Sequence, residues 1–148
     1  MSESTDSCPF CGKLNHTIVR ENEHATAFRD AFPVSYGHTL IVPRRHVADL
    51  FDLSERELAD AIGLVRQTKA QLLVEFSPSG FNVGVNIGRD AGQTVMHAHI
   101  HVIPRYAGDV ADPTGGIRNV IPDKGRYSLD VTRSTSRNSV VANQAAPK

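Results

Sequence analysis

Three histidines at alternate positions, His97, His99 and His101, are the feature of this chain best suited to chemistry. Successive side chains on a strand point to opposite faces, so an extended segment puts all three imidazoles on one face. Ala98, Ile100 and Val102 then share the other and face a core. A row of enclosed imidazoles costs desolvation free energy unless each ring finds a partner, so chance placement accounts for it poorly. Nor does the row fit one metal ion. At a rise of about 3.3 Å per residue, His97 and His101 lie roughly 13 Å apart at Cα. Imidazoles that share a zinc ion sit about 2.0–2.1 Å from it. Two neighbours can share an ion, which leaves at least one ring for other work. A neutral imidazole titrates near neutrality and serves as nucleophile or general base.

The two cysteines, Cys8 and Cys11, are spaced C-x-x-C. In a reducing compartment that spacing points to metal binding or redox chemistry more than to a structural disulfide. Pro9 and Gly12 beside them favour a metal knuckle over a thioredoxin-like motif, which belongs between a strand and a helix. His16 completes a C-x-x-C-x₄-H spacing and is a candidate ligand. His24 reads as an ordinary surface residue. The glycine-bearing segment 88–94 runs into the histidine row. It can present backbone N–H groups to a phosphate, and Thr94 adds a hydroxyl, although an ordinary turn is the plainer reading. Neither G-x-x-x-x-G-K-[ST] nor G-x-G-x-x-G occurs, so P-loop and Rossmann chemistry are not indicated.

Composition narrows the classes further. The chain has 148 residues, 16 Lys plus Arg and 16 Asp plus Glu. One domain with a real core is expected. A balanced charge argues against a nucleic-acid groove. No apolar run approaches the ~18 residues of a membrane span, and residues 1–6 lack the features of a secretory signal. The default location is the cytoplasm.

Several elements must position the histidines. Residues 1–7 are small and polar and read as disordered. Residues 18–20 and 25–28 read as two short paired strands. His38 to Val42 reads as a buried strand stopped by Pro43, and Val47, Leu50 and Phe51 as a short helical turn. Ser54 and Glu57 form a capping box, with Leu53 and Leu58 as its hydrophobic staple. Leu58, Ile62, Val65, Leu72 and Phe76 give one apolar stripe at helical spacing, and Pro78 and Gly80 end that helix. Phe81, Val83, Val85 and Ile87 alternate with polar or small residues, as does 97–103 before Pro104. Residues 128–148 offer too little apolar surface to order and read as a flexible tail. Short strands around one long helix give an α+β class with a mostly antiparallel sheet.

The run His97-Ala98-His99-Ile100-His101-Val102-Ile103 resembles the H-φ-H-φ-H-φ-φ signature of the histidine triad (HIT) superfamily of nucleotide hydrolases and transferases. Flanking runs agree. Ala91-Gly92-Gln93-Thr94-Val95 and Pro104-Arg105-Tyr106-Ala107-Gly108-Asp109 look like the fragile-histidine-triad and diadenosine polyphosphate hydrolase branch and related bacterial members. Gly37-His38-Thr39-Leu40-Ile41-Val42-Pro43-Arg44-Arg45-His46 is similar to the family's upstream segment. Gly115-Gly116-Ile117-Arg118 and Val120-Ile121-Pro122 resemble a segment of bacterial members. The resemblance covers roughly residues 8–127.

It implies a five-stranded, mostly antiparallel sheet with one long and one short helix, as a homodimer. It implies that His99 attacks an α-phosphate and carries a nucleotidyl group, with His101 and His38 contacting phosphate and tuning the proton network. Asp30 matches the residue that binds the ribose hydroxyls. Asn86 matches the polar residue facing the phosphate, with the Gln93 and Thr94 loop against it. Members with an N-terminal C-x-x-C bind structural zinc, which would pair Cys8 and Cys11 with His46 and His97; His16 rivals His46. Dinucleoside polyphosphates, nucleoside phosphoramidates, adenylyl sulfate and nucleotidyl sugars all present such a phosphate. Two other readings stand beside this one: a nucleotide-binding sensor with vestigial catalysis, and a metal-dependent hydrolase that uses the row itself.

Overall fold

The computed structural model describes residues 5–11 and 17–128. The expectations for residues 1–4, for His16 and for the tail from 129 onward lie outside the described residues. Residues 5–7 form a turn. Two compact units divide at Pro113 and Thr114.

The first unit holds five strands and the long helix. The strands are β1 (Ile18–Glu21), β2 (Ala25–Arg29), β3 (Thr39–Pro43), β4 (Gly80–Val85) and β5 (Ile100–Arg105), and the helix, α1, spans Glu55–Phe76. They form one sheet in the order β1-β2-β3-β5-β4, and every neighbouring pair is antiparallel. Ala27 pairs with Ile41, Ile41 with Ile100, and Ile100 with Val85. Directly opposed residues share a face, so these form one surface, and Ala98 and Val102 join its core. Phe28, Leu40, His101 and Gly84 are matched in the same way on the other face.

Helix α1 covers the first face. Ser54 caps it, accepting from the Glu57 N–H while the Glu57 carboxylate accepts from the Ser54 N–H, as the capping box predicts. Its buried ridge is Ala61, Leu64, Thr68 and Leu72. This corrects the expected stripe: Ile62 is 51% exposed and Phe76 37%. Small residues at 61 and 68 let the helix approach a sheet face that is itself built on Ala25 and Ala27, whereas the sequence stripe counted only large apolar residues. Gly37 meets the same helix. It sits at φ +84°, and a Cβ there would lie 2.9 Å from Leu72 Cδ2.

Strand limits differ from expectation at both prolines. Pro43 and Pro104 lie inside β3 and β5 instead of ending them. The Pro104 carbonyl accepts from the Ser35 hydroxyl at 2.7 Å. In an extended residue N and C=O point the same way, so the missing N–H faces away from β4 and no ladder bond is lost. β3 starts at Thr39, after His38, and β4 ends at Val85, before Ile87. The expected turn near Leu50 is a 3₁₀ turn, Leu50–Asp52, capped by Asp49.

The second unit, described to residue 128, is a loop built on the 3₁₀ turn Gly116–Val120. Asn119 Nδ2 donates to the Thr114 carbonyl at 3.3 Å, and Arg118 lies over the Tyr127 ring at 4.9 Å.

Candidate active site and metal centre

The histidine row begins before its strand. β5 opens at Ile100, so His97 and His99 precede the hydrogen-bonded ladder and only His101 lies within it. The Ala98 N–H donates instead to the Val47 carbonyl at 2.7 Å. His97 and His99 are 1% and 7% exposed.

Backbone groups decide which nitrogen of each ring carries a proton, because a carbonyl only accepts and an amide N–H only donates. His97 Nε2 lies 2.7 Å from the Pro43 carbonyl, so Nε2 is protonated and Nδ1 carries the lone pair. His99 is the reverse. Its Nδ1 lies 2.8 Å from the His97 carbonyl, which leaves the lone pair on Nε2. His38 Nδ1 accepts from the Val34 N–H at 3.2 Å, so the His38 proton sits on Nε2. That Nε2–H donates to His101 Nδ1 at 3.0 Å, which moves the His101 proton to its Nε2. Neighbouring rings His99 and His101, with centroids 5.0 Å apart, thus present opposite groups: a lone pair and an N–H.

Two of these rings, His101 and His38, are pushed towards the neutral form. Burial drives His101 down to about 4, helped by the neighbouring His99 and His38 rings and opposed by Asp30. Burial also lowers His38, again against Asp30, whose Oδ2 lies 3.5 Å from His38 Nε2. The other Asp30 oxygen accepts from the Phe32 N–H at 2.9 Å. Asp30 is therefore tied into the loop and the histidine network. A cavity of about 700 Å³ opens beside Asp30 and His38, walled by Val34, Tyr36, Phe76 and Tyr106.

At the other end of the row, Cys8, Cys11, His46 and His97 offer one ligand atom each, all within 4.8 Å of one another. His97 Nδ1 lies 3.6 Å from Cys8 Sγ and 3.3 Å from Cys11 Sγ, and His46 Nδ1 lies 3.1 Å from Cys11 Sγ. Two thiols and two imidazoles with lone pairs turned inward are the donor set of a closed tetrahedral zinc site. The Pro43 carbonyl fixes the His97 tautomer as ligating histidines require. The described residues thus bring His46 to both cysteines. His99 belongs to no such cluster among the described residues.

Other expected residues divide. Asn86 is half-buried and directly follows β4, whose last residue, Val85, pairs with Ile100 beside His99. Thr94 is exposed on the loop. Gln93 is 4% exposed and its amide is turned to the backbone. Its Oε1 accepts from the Gly88 N–H at 2.9 Å, and its Nε2 donates to the Ala48 and Val95 carbonyls at 2.9 and 3.1 Å. The N–H groups of Ala91, Gly92 and Gln93 are also bonded inside the loop. Four loop amides thus close a turn, the plainer of the two sequence readings, and are not free to cradle a phosphate. His24 is corrected. It is half-buried, and its Nδ1 lies 2.6 Å from Asp60 Oδ2 on α1.

Two site residues escaped sequence reasoning. The Val34 N–H orients His38, and backbone roles leave no trace in side-chain type. Phe10, between the cysteines, lies with its ring centroid 5.1 Å from that of His99. An aromatic inside the C-x-x-C was the available signal.

Comparison with known proteins agrees with this architecture. The family model described as the HIT domain matches residues 12–108. A HIT-like protein of Mycoplasma genitalium is 42% identical over 107 residues, 70% of this chain and 76% of that protein. An adenosine 5'-monophosphoramidase of Schizosaccharomyces pombe is 38% identical, covering 67% and 74%. A bis(5'-nucleosyl)-tetraphosphatase (asymmetrical) of the same yeast is 41% identical, covering 60% and 48%. Among solved structures, a HIT family protein from Bacillus anthracis is 40% identical with a TM-score of 0.67, covering 70% and 77%. A Zn-bound histidine triad family protein from Mycobacterium smegmatis is 31% identical with a TM-score of 0.67, covering 73% and 81%. No helix among the described residues is long and apolar enough to cross a membrane. With the domain match spanning all five strands and the histidine row, this chain belongs to the HIT family.

Proposed function

We propose that the chain is a nucleotide hydrolase or nucleotidyl transferase that attacks the α-phosphate of a nucleotide conjugate with the Nε2 lone pair of His99. The opposed tautomers of His99 and His101 carry this reading, since one ring offers the nucleophile and the next an N–H to the same phosphate. In the first step a bond forms between Nε2 and phosphorus, and the bond from phosphorus to the leaving group breaks. The leaving group departs with that electron pair and is protonated from solvent, while the His101 Nε2–H hydrogen-bonds the charge developing on the phosphate and keeps its proton. Water then attacks phosphorus and gives up a proton to solvent, the P–N bond breaks, and the pair returns to Nε2. Val34, His38 and Asp30 keep the His101 donor in register. Asp30 also meets the ribose hydroxyls, and Asn86 and Thr94 face the phosphate. Gln93 shapes the loop through its backbone bonds.

Cys8, Cys11, His46 and His97 would hold zinc as a structural ion, with its lattice of four ligands closed to substrate. Zinc supplies cross-linking and no step of the reaction. Free Cys8 and Cys11 fit a reducing compartment such as the cytoplasm. A homodimer accounts for the exposed face of α1. There Ile62 and Leu73 lie 51% and 44% exposed, and Val83 on the edge strand β4 is 41% exposed.

The names of two relatives favour dinucleoside polyphosphates and nucleoside phosphoramidates as substrate classes. The test is a panel of these conjugates, adenylyl sulfate and nucleotidyl sugars, with products identified by mass spectrometry. Release of a nucleoside monophosphate from at least one of them, lost in His99→Ala, is expected. Tight nucleotide binding with no turnover of any conjugate would make the chain a sensor and defeat the reading.

A further inference from the structure

Among the described residues, Phe10 is the ring beside His99 that the proposed chemistry leaves without a task. It packs on Phe28, Leu40 and Val42 on the histidine face of the sheet. Its centroid lies 5.1 Å from that of His99 with the planes at 75°, and 6.0 Å from that of His97. The His101 ring lies 5.0 Å from His99. The hydrogen bond from His99 Nδ1 to the His97 carbonyl sets the tautomer, but a single bond is an axis about which a ring still turns. Two further rings packed against it restrict that freedom and keep Nε2 aimed.

Besides that packing, Phe10 is held through the two cysteines around it. Residues 5–11 belong to no strand or helix. Cys8 and Cys11 tie the segment to His97 and His46. Without a metal those ties are thiol–imidazole hydrogen bonds, which are weak. With a metal they become a four-ligand cage.

We propose that Phe10 is a positioning residue that clamps the ring of His99 against His101, and that its flanking cysteines make the clamp depend on the metal. The inference rests on the reading of His99 as nucleophile. It makes a structural ion at one end of the row a determinant of rate at the other.

The experiment crosses Phe10→Ala and Phe10→Leu with zinc removal by a chelator. It reads zinc per chain, melting temperature, kcat and KM, and the ring Nδ1–H signal of His99 in protein labelled with ¹⁵N-histidine. Zinc-loaded Phe10→Ala should keep its zinc. Its kcat should fall about ten- to hundredfold, as for a ring misplaced by about an ångström, with KM little changed. Its His99 signal should broaden. Stripping wild type should give a similar fall and the same broadening, and stripping Phe10→Ala should add little to either. Phe10→Leu, which still fills the space, should lie between. Falls that multiply, or a sharp His99 signal in zinc-loaded Phe10→Ala, would overturn the clamp. A rise in KM alone with the signal unchanged would make Phe10 a substrate contact and overturn it too. Were His99→Ala to retain turnover, the nucleophile reading would fall, yet the ring signal would still decide the clamp.

Discussion

His97 and His99 stand two residues apart on one face and are both buried, yet they meet opposite surroundings. His97 turns Nε2 to a carbonyl and its lone pair to two thiols and His46. His99 turns Nδ1 to a carbonyl and its lone pair away from the cluster. Different backbone oxygens within reach thus give one side-chain type two orientations. On the function proposed above, the row is a junction between a cross-linking end and a reacting end, and the carbonyl of His97 belongs to both.

Substitutions at the two ends separate them. The largest effect is expected from His99→Ala, which should lower turnover at least about a thousandfold, as for other covalent nucleophiles. Its zinc content and melting temperature should stay at wild-type values. Zinc lost with His99 would merge the two ends into one metal site. His97→Ala and Cys8→Ser form the converse pair. Metal analysis should find both without zinc, both should melt earlier, and activity should fall as a consequence. If Cys8→Ser loses zinc and His97→Ala retains it, His16 replaces His97 or His46 in the ligand set.

A smaller effect tests the reacting end alone. His101→Ala removes the hydrogen-bond donor and should lower kcat by about a hundredfold, as for the loss of one donor to a developing charge. Asp30→Asn leaves the Val34 and His38 bonds in place and should lower it less. Equal losses from the two would make Asp30 as necessary to the phosphate donor as His101 itself.

The smallest effect is one of pH. An imidazole unfolded titrates near about 6.5, while burial holds His101 in the folded protein at about 4, with His38 lowered in the same direction. The unfolded chain binds more protons in that window, so stability is full above the unfolded value and is lost as pH falls towards the folded one. Melting temperatures should drop between pH 7 and 5. His101→Asn should drop less over the same range, and an unchanged slope would show that His101 is not held neutral.

Much of this was legible in the residues, for reasons that differ by element. The capping box at Ser54 and Glu57 acts over one helical turn, and β4 alternates apolar with polar or small residues, so local pattern sufficed there. The buried helix ridge did not follow from hydrophobicity, because Ala61 and Thr68 are buried by the close approach of the sheet. Pro43 and Pro104 read as strand ends because a missing N–H harms only a paired edge, and pairing is a long-range fact. At the site, spacing alone singled out the row. The division of labour proposed within it rests on the Pro43, His97 and Val34 backbone groups, and those come together only in the fold. Gln93 illustrates the same limit, since its amide serves Gly88, Ala48 and Val95.

The central claim, that His99 and no other group on the row carries the nucleotidyl unit, has a direct measurement. Turning enzyme is quenched in alkali, where a phosphoramidate survives, and the modified peptide is located by mass spectrometry. A nucleoside monophosphate mass on His99 in wild type, absent from His99→Ala and present in His97-intact, zinc-loaded protein, is the predicted result. An adduct on His97, His101 or His38, or full turnover with no adduct at all, would contradict it.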